Sequence, residues 1–539
     1  MIDKRPARFA AGARRYIFLS VFARWLGLLC GAAFAFGAAR FASDLFAAIF
    51  ERTDETLTFP AVLPFLGLCC GAAFLRALCA FFASKAAFGA SAVVRKNLRA
   101  ALCEKFAALD ENDGATAARA DEGESKRIEA YFGGHLPEIF YGAAASVTLF
   151  ALFAPLYLPI ACVPLACAAL LLPFVPFAAR TARGRTRERP CGIPPAAFAA
   201  HIGTAFGVVL AAHGLLSDGL GLFGALAALL LASEFFAPLR RLASSFGGAK
   251  RTDAANETKG MRPEADPEGR LAALMRPAAG FTVLAVLLGA AGRGCAIALP
   301  VIGCYALLSA FVPAGTFPVG FAGFAAAIFA CAVLRGAFRC GERLCHRRAA
   351  SRLRDGAAAA LRRLFPEELE RLGTEADPIA AREDDMGIVE AFRARTVSPI
   401  AVAVLVSAAV SVYVGSFHTT LGLAAACSFP LVGAALPYFV SLFGSDAAEM
   451  RRRSAERKES AVLTLSTFAS ALCSLWIFAL SYSIFAGEAA VGFDGVIVPF
   501  LTLLSSFGPA FALSKLGPAP ASANAAARRV FAPVDEEGS

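Results

Sequence analysis

Charged side chains inside long apolar runs are the residues of this 539-residue sequence with the clearest chemical potential, because a charge in lipid is costly and is kept where it has a task. Arg293 stands between Gly292 and Gly294 in the middle of one such run, with no acidic neighbour in sequence. A guanidinium at that depth suits contact with an anionic substrate or a hydrogen bond between helices. Arg76 and Arg335 stand near the inner ends of two other runs, and Glu234, ahead of Phe235-Phe236 and Pro238, lies near the inner end of a fourth. These four are the substrate-path candidates. Arg40 and Asp44, four residues apart, read as a structural pair on one helix face, and Arg24 can extend its side chain to the inner interface.

Other chemistries are thinly represented. A phosphate-cradling loop needs Gly-x-x-x-x-Gly-Lys-Ser/Thr, in which backbone N–H groups and the lysine hold the phosphates. The chain has nine lysines and none follows a glycine, so it is expected to have no ATPase or other enzymatic activity of its own. The fifteen cysteines contain no C-x-x-C, and most lie in apolar runs, where cysteine behaves as a small hydrophobe. Neither a disulfide framework nor a metal centre is expected. The five histidines are scattered and read as structural, with His346 considered below.

The elements that must position these charges follow from composition. Hydrophobic residues make up 58% of the chain and charged residues 17%, with a mean hydropathy of +0.61. Soluble domains have roughly 45–50% apolar and about 25% charged residues, so a soluble enzyme, a disordered chain and a nucleic-acid binder are excluded despite the net charge of +10. A helix crossing the hydrocarbon core needs about 20 apolar residues. Twelve runs qualify, near 17–39, 59–83, 132–153, 158–179, 197–215, 219–237, 279–311, 319–338, 398–416, 420–444, 462–486 and 493–514. They are apolar all round and too long for barrel strands, so the expected fold is an all-α membrane protein of twelve transmembrane helices. Arginine and lysine mark cytoplasmic loops. They crowd the N-terminal stretch and the loops after the fourth and tenth runs, while the opposite loops hold Arg52 alone. A multi-pass protein of the cell (inner) membrane with both termini cytoplasmic is therefore expected.

The chain also looks duplicated. Arg95 recurs as Arg354 and Leu102 as Leu361, 259 residues on, Glu129-Ala130 recurs as Glu390-Ala391, and Phe236 with Pro238 recurs as Phe507 with Pro509. Both halves start in the cytoplasm and contain six runs, as in a parallel repeat. The expected organisation is a first six-helix domain at 1–250, a cytoplasmic linker at 251–270 and a second six-helix domain at 271–539. Two charged cytoplasmic excursions, 86–130 and 339–396, begin with amphipathic segments, Ser91–Leu109 and Arg347–Leu364, at helical spacing. They suit two copies of a docking partner.

The layout of an amphipathic lead-in, two spans, a long excursion and four further spans resembles the type-1 transmembrane domain of ABC exporters. Arg127-Ile-Glu-Ala-Tyr131-Phe132-Gly-Gly-His-Leu136-Pro137 and Ala232-Ser-Glu234-Phe235-Phe236-Ala-Pro238-Leu239-Arg240 resemble segments of one half of the heterodimeric cysteine/glutathione exporters of cytochrome bd assembly. Leu334-Arg335, Glu342-Arg343-Leu344-Cys345-His346, Val389-Glu390-Ala391-Phe392 and Ala525-Ala526-Ala527-Arg528-Arg529-Val530-Phe531 resemble the other half. The resemblance implies two fused exporter halves, ATP supplied through separate ATP-binding subunits docking on 86–130 and 339–396, and a thiol or haem-related cargo. It also makes His346 a haem-ligand candidate. The sequence departs from the family in lacking nucleotide-binding domains and in its short segments at 180–196 and 445–461, where the family has the hairpin that couples to ATP. An ion-coupled secondary transporter and a non-transporting scaffold derived from an exporter are the competing readings.

Overall fold

The computed structural model describes residues 12–50, 59–106, 128–129, 131–171, 173, 195–245, 275–311, 319–364, 383–435, 451–485, 493–510 and 519–530. Among them there are helices and turns and no strand. The helices in chain order are α1 (Arg14–Phe50), α2 (Phe59–Phe106), α3 (Leu136–Phe153), α4 (Leu158–Leu171), α5 (Pro195–Leu216), α6 (Leu222–Phe235), α7 (Ala237–Ser245), α8 (Ala279–Leu308), α9 (Phe321–Leu364), α10 (Glu383–Phe392), α11 (Ser398–Gly415), α12 (Thr419–Pro430), α13 (Arg451–Phe485), α14 (Asp494–Ala510) and α15 (Ala519–Val530). Five-residue π-helical turns, Tyr131–His135 and Arg393–Val397, lead into α3 and α11.

Among the described residues nine helices are long and apolar enough to cross a membrane, and three more apolar helices are shorter, at Leu158–Leu171, Thr419–Gly433 and Asp494–Gly508. Each of the twelve expected runs therefore contains a helix among the described residues. The three short ones correspond to runs whose remaining residues, at 172 and 174–179, 436–444 and 511–514, lie outside the described residues. Large apolar side chains point outward from these helices, Phe18 at 72% exposure, Val412 at 76% and Trp476 at 64%. An aqueous surface does not favour such exposure and lipid does. α2 and α9 are 48 and 44 residues long, about 72 and 66 Å at 1.5 Å per residue. That is more than twice the roughly 30 Å hydrocarbon core, so each apolar helix runs on without a break into the amphipathic segment expected after it.

The chain divides by packing into two compact units, one of 1–247, 298–333 and 439–504, the other of 248–297, 334–438 and 505–539. α8 and α9 contribute residues to both. In the first unit α1 packs along α2 and against α3 and α6, and α13 lies on α2. Aromatic rings interlock in its interior. Phe153 meets Phe235 edge-on at 5.6 Å, and Phe41 meets Phe478 at 5.2 Å. Such contacts matter in lipid, where helices gain little from the hydrophobic effect and associate by close packing. α5 and α6 are joined by the expected turn at Ser217-Asp218-Gly219, in which Asp218 takes a φ of 53°. Aspartate tolerates that left-handed conformation better than most residues, and the Gly219 and Leu220 amides both donate to the Gly214 carbonyl.

In the second unit α11 and α12 form a tight hairpin. A Cβ on Gly422 would lie 2.6 Å from Gly415 Cα and 3.0 Å from the Ser411 carbonyl oxygen. Those neighbours are backbone and cannot turn aside. Gly422→Ala is expected to destabilise the protein by about 1–3 kcal/mol, the usual cost of overpacking, read as a lower unfolding midpoint in detergent.

Each unit contains the same local device. In the first, Ala90, Val94 and Leu98 of α2, spaced four apart, pack with Ile128, Phe132, Ala13 and Ile17. In the second, Ala349, Leu353 and Ala357 of α9, each 259 residues on, pack with Met386, Val389 and Ala278. An ion pair accompanies each cluster. Arg95 Nη2 lies 3.0 Å from Glu129 Oε2, and Arg354 Nε lies 2.5 Å from Glu390 Oε1. A π-helical turn and an 18-residue helix with proline near its start follow in both places. Arg354→Glu is expected to cost about 1 kcal/mol, as for a partly exposed pair, and the double variant Arg354→Glu/Glu390→Arg to recover most of it. Unfolding midpoints of the two variants check this.

Candidate functional site

The substrate-path candidates fall into two charge clusters, one in each unit. In the first, the end of α6 carries Glu234, whose Oε1 accepts a hydrogen bond from Arg76 Nη2 of α2 at 2.5 Å. Gly31 of α1 leaves the space for that guanidinium, since a Cβ there would stand 2.7 Å from Arg76 Nη1. Two residues after Glu234 the helix breaks. Pro238 lacks an N–H and favours the first turn of a new helix, and α7 starts at Ala237. The break leaves the Ser233 carbonyl to other donors, and Arg240 Nη2 donates to it.

A second carboxylate completes the cluster. Glu138 sits in the first turn of α3, where a negative charge complements the helix dipole, and its side chain is 8% exposed. It accepts a hydrogen bond from Arg24 of α1, and Arg241 of α7 approaches its Oε1 at 3.6 Å. The Arg241 guanidinium also lies over the Tyr141 ring, 5.7 Å from its centroid, a cation–π arrangement. The short α7 that follows Glu234 carries both Arg240, which donates to the end of α6, and Arg241, which reaches Glu138 and Tyr141, so the two ion pairs lie on connected elements. α1, α2, α3, α6 and α7 are joined through them.

Glu138, Arg241 and Tyr141 are absent from the sequence candidates. The signal for Glu138 was available: it is an acid within the apolar run 132–153, directly after Pro137 at a helix start. Its partners Arg24 and Arg241 are 114 and 103 residues away, and no periodicity links them. Arg24, expected to extend toward the inner interface, donates to Glu138. Arg40 and Asp44 pair as expected, at 3.2 Å and well exposed, a contact worth little.

In the second unit Arg293 of α8 is half-buried and interacts electrostatically with Glu342 of α9. The helices touch where a Cβ on Gly292 would lie 3.9 Å from the Arg335 carbonyl oxygen and 3.9 Å from Arg339 Cγ. Arg293, Arg335 and Glu342 thus belong to one helix pair. His346 lies one turn beyond Glu342, with Nε2 3.9 Å from Glu342 Oε1. Its Nδ1 is buried and makes no hydrogen bond among the described residues. A haem ligand needs a ring nitrogen open to the iron beside a flat apolar slot. Here Nδ1 is enclosed, and Nε2 lies 3.9 Å from the Glu342 carboxylate. Among the described residues no group of three or more His, Cys, Asp or Glu could hold a metal ion.

The least expected residue of this unit is Arg393, on the π-helical turn before α11 and 1% exposed. Its Nη2 donates to the His346 carbonyl at 2.8 Å and its Nη1 to Thr282 Oγ1 at 3.4 Å. It therefore fastens α8, α9 and the lead-in to α11. Compared with known proteins, the sequence matches no family model and no curated protein.

Proposed function

We propose that the chain is the membrane-spanning permease of an ABC-type exporter, built from two related six-helix domains, 1–250 and 271–539, joined by a linker at 251–270. The observation that carries this reading is the recurrence, 259–262 residues apart, of an apolar cluster, an Arg–Glu pair, a π-helical turn and an 18-residue helix. A parallel repeat of this kind supplies the two related parts that alternating access moves against each other. ATP comes from separate ATP-binding subunits docking on 86–130 and 339–396, and the length of α2 and α9 supports that placement by carrying the helices past the hydrocarbon core. Residues 107–127 and 365–382 of those segments lie outside the described residues. Both termini face the cytoplasm of a cell-membrane protein.

The cargo is anionic or zwitterionic, a thiol such as cysteine or glutathione being the class the resemblance favours. Arg293 and Arg335 are the candidate contacts, and Arg76 with Glu234 forms a tie between helices beside the path. No step of this activity runs through a haem. Purification of the tagged chain from its own membranes tests the reading. An ATPase subunit is expected to co-purify, and its absence would count against it. The competing reading, an ion-coupled carrier, draws on Glu138 and Glu234, two acids inside spans. Uptake driven by a pH gradient without ATP would favour that alternative.

A further inference from the structure

In the first unit the guanidinium groups of Arg24, Arg76, Arg240 and Arg241 share two carboxylates, those of Glu138 and Glu234. Among the described residues these four guanidinium groups thus outnumber the two carboxylates they meet by two. The surplus is also placed outward. The Arg76 and Arg241 side chains are 45% and 50% exposed, whereas Glu234 and Glu138 beneath them are 15% and 8% exposed. Two cations are held in position in advance, Arg241 over the Tyr141 ring and Arg240 on the Ser233 carbonyl. Such restraint lowers the cost of ordering them on a ligand.

With these helices read as membrane spans, Arg76 and Arg241 stand near the inner ends of the spans, at the depth of the lipid headgroups. Guanidinium forks match phosphate oxygens in geometry and charge, and basic pockets between membrane helices suit anionic headgroups. We propose that this cluster binds the headgroup phosphate of an anionic phospholipid, with Arg241 and Arg76 as the contacting side chains and Arg240 adding field from beside them. The proposal is independent of the transport reading, since a carrier or a scaffold with the same cluster would bind lipid equally well.

The test uses the full chain in neutral detergent micelles, titrated with dihexanoyl phosphatidylglycerol, dihexanoyl phosphatidylcholine or inorganic phosphate, with thermal unfolding as the readout. Phosphatidylglycerol is expected to bind at least about tenfold more tightly than phosphatidylcholine, as one charge-assisted contact requires. Arg241→Gln is expected to weaken phosphatidylglycerol binding about tenfold. Glu234→Gln, which frees Arg76, is expected to tighten it about threefold. The opposite signs separate loss of a site from loss of fold, and the comparison of lipids on the unaltered chain stands even where a variant does not fold. Equal binding of the two lipids, or variants that bind as the unaltered chain does, would overturn the proposal. Inorganic phosphate binding as tightly as phosphatidylglycerol would also overturn it and assign the cluster to a free anion.

Discussion

Glu138→Ala is expected to destabilise the protein by about 3–5 kcal/mol, the cost of removing one partner from a buried ion pair. Glu138 is nearly enclosed, accepts from Arg24 and faces Arg241. Its removal leaves Arg24, itself only 21% exposed, without its carboxylate in an environment that water does not reach freely. The loss is felt by α1, α3 and α7 together. Glu138→Gln keeps the shape and one acceptor but removes the charge, so it is expected to fall between alanine and the unaltered chain. By contrast Asp44→Ala, which breaks an exposed pair on one helix, is expected to change stability by less than about 0.5 kcal/mol. Thermal unfolding in one detergent compares the three variants. Equal effects for Asp44→Ala and Glu138→Ala would contradict the assignment of Glu138 to a buried tie.

Arg393→Ala is expected to cost a similar amount, about 3–5 kcal/mol, for a different reason. The side chain is fully buried, and its removal opens a cavity the size of an arginine as well as leaving the His346 carbonyl and Thr282 hydroxyl without their donor. Arg393→Met, which fills most of the volume without donors, separates the two contributions. If hydrogen bonding dominates, methionine is nearly as damaging as alanine. If packing dominates, methionine recovers most of the loss, because a buried charge is itself costly to keep. Because α11 is held through Arg393, the variant is also expected to raise hydrogen exchange in the amides of 393–410 more than in α12.

Long apolar stretches were legible because lipid imposes one length and one composition on every span. α1, α2, α8 and α9 appear where hydropathy places them. The extension of α2 and α9 beyond their spans was legible too, from the amphipathic spacing of Ser91–Leu109 and Arg347–Leu364. The offset of 259 residues between Arg95 and Arg354 pointed to a pair of equivalent places, and both arginines meet the glutamates expected to recur with them. What a sequence reading misses is which charge meets which across helices. Arg76 and Glu234 were both candidates, yet nothing in their separation of 158 residues joins them. Glu138, a single acid near a helix start, has in sequence the pattern of an interfacial residue, and only its partners across helices mark it as buried. Arg393 follows a polar segment, a pattern that suits a solvated residue, yet it lies buried on the π-helical turn. The break at Phe236, marked by Pro238, was visible as a span end at 237 but not as the start of a second helix that brings Arg240 and Arg241 to the cluster.

The proposed permease role is tested most directly by transport in inverted membrane vesicles that contain this chain with its native partners. Radiolabelled glutathione and cysteine are the cargoes to supply, with a strain lacking the chain as control. The account predicts accumulation that needs hydrolysable ATP, persists when the proton gradient is collapsed, and is absent from the control vesicles. Accumulation that follows a pH gradient without ATP, or equal signals with and without the chain, would contradict it.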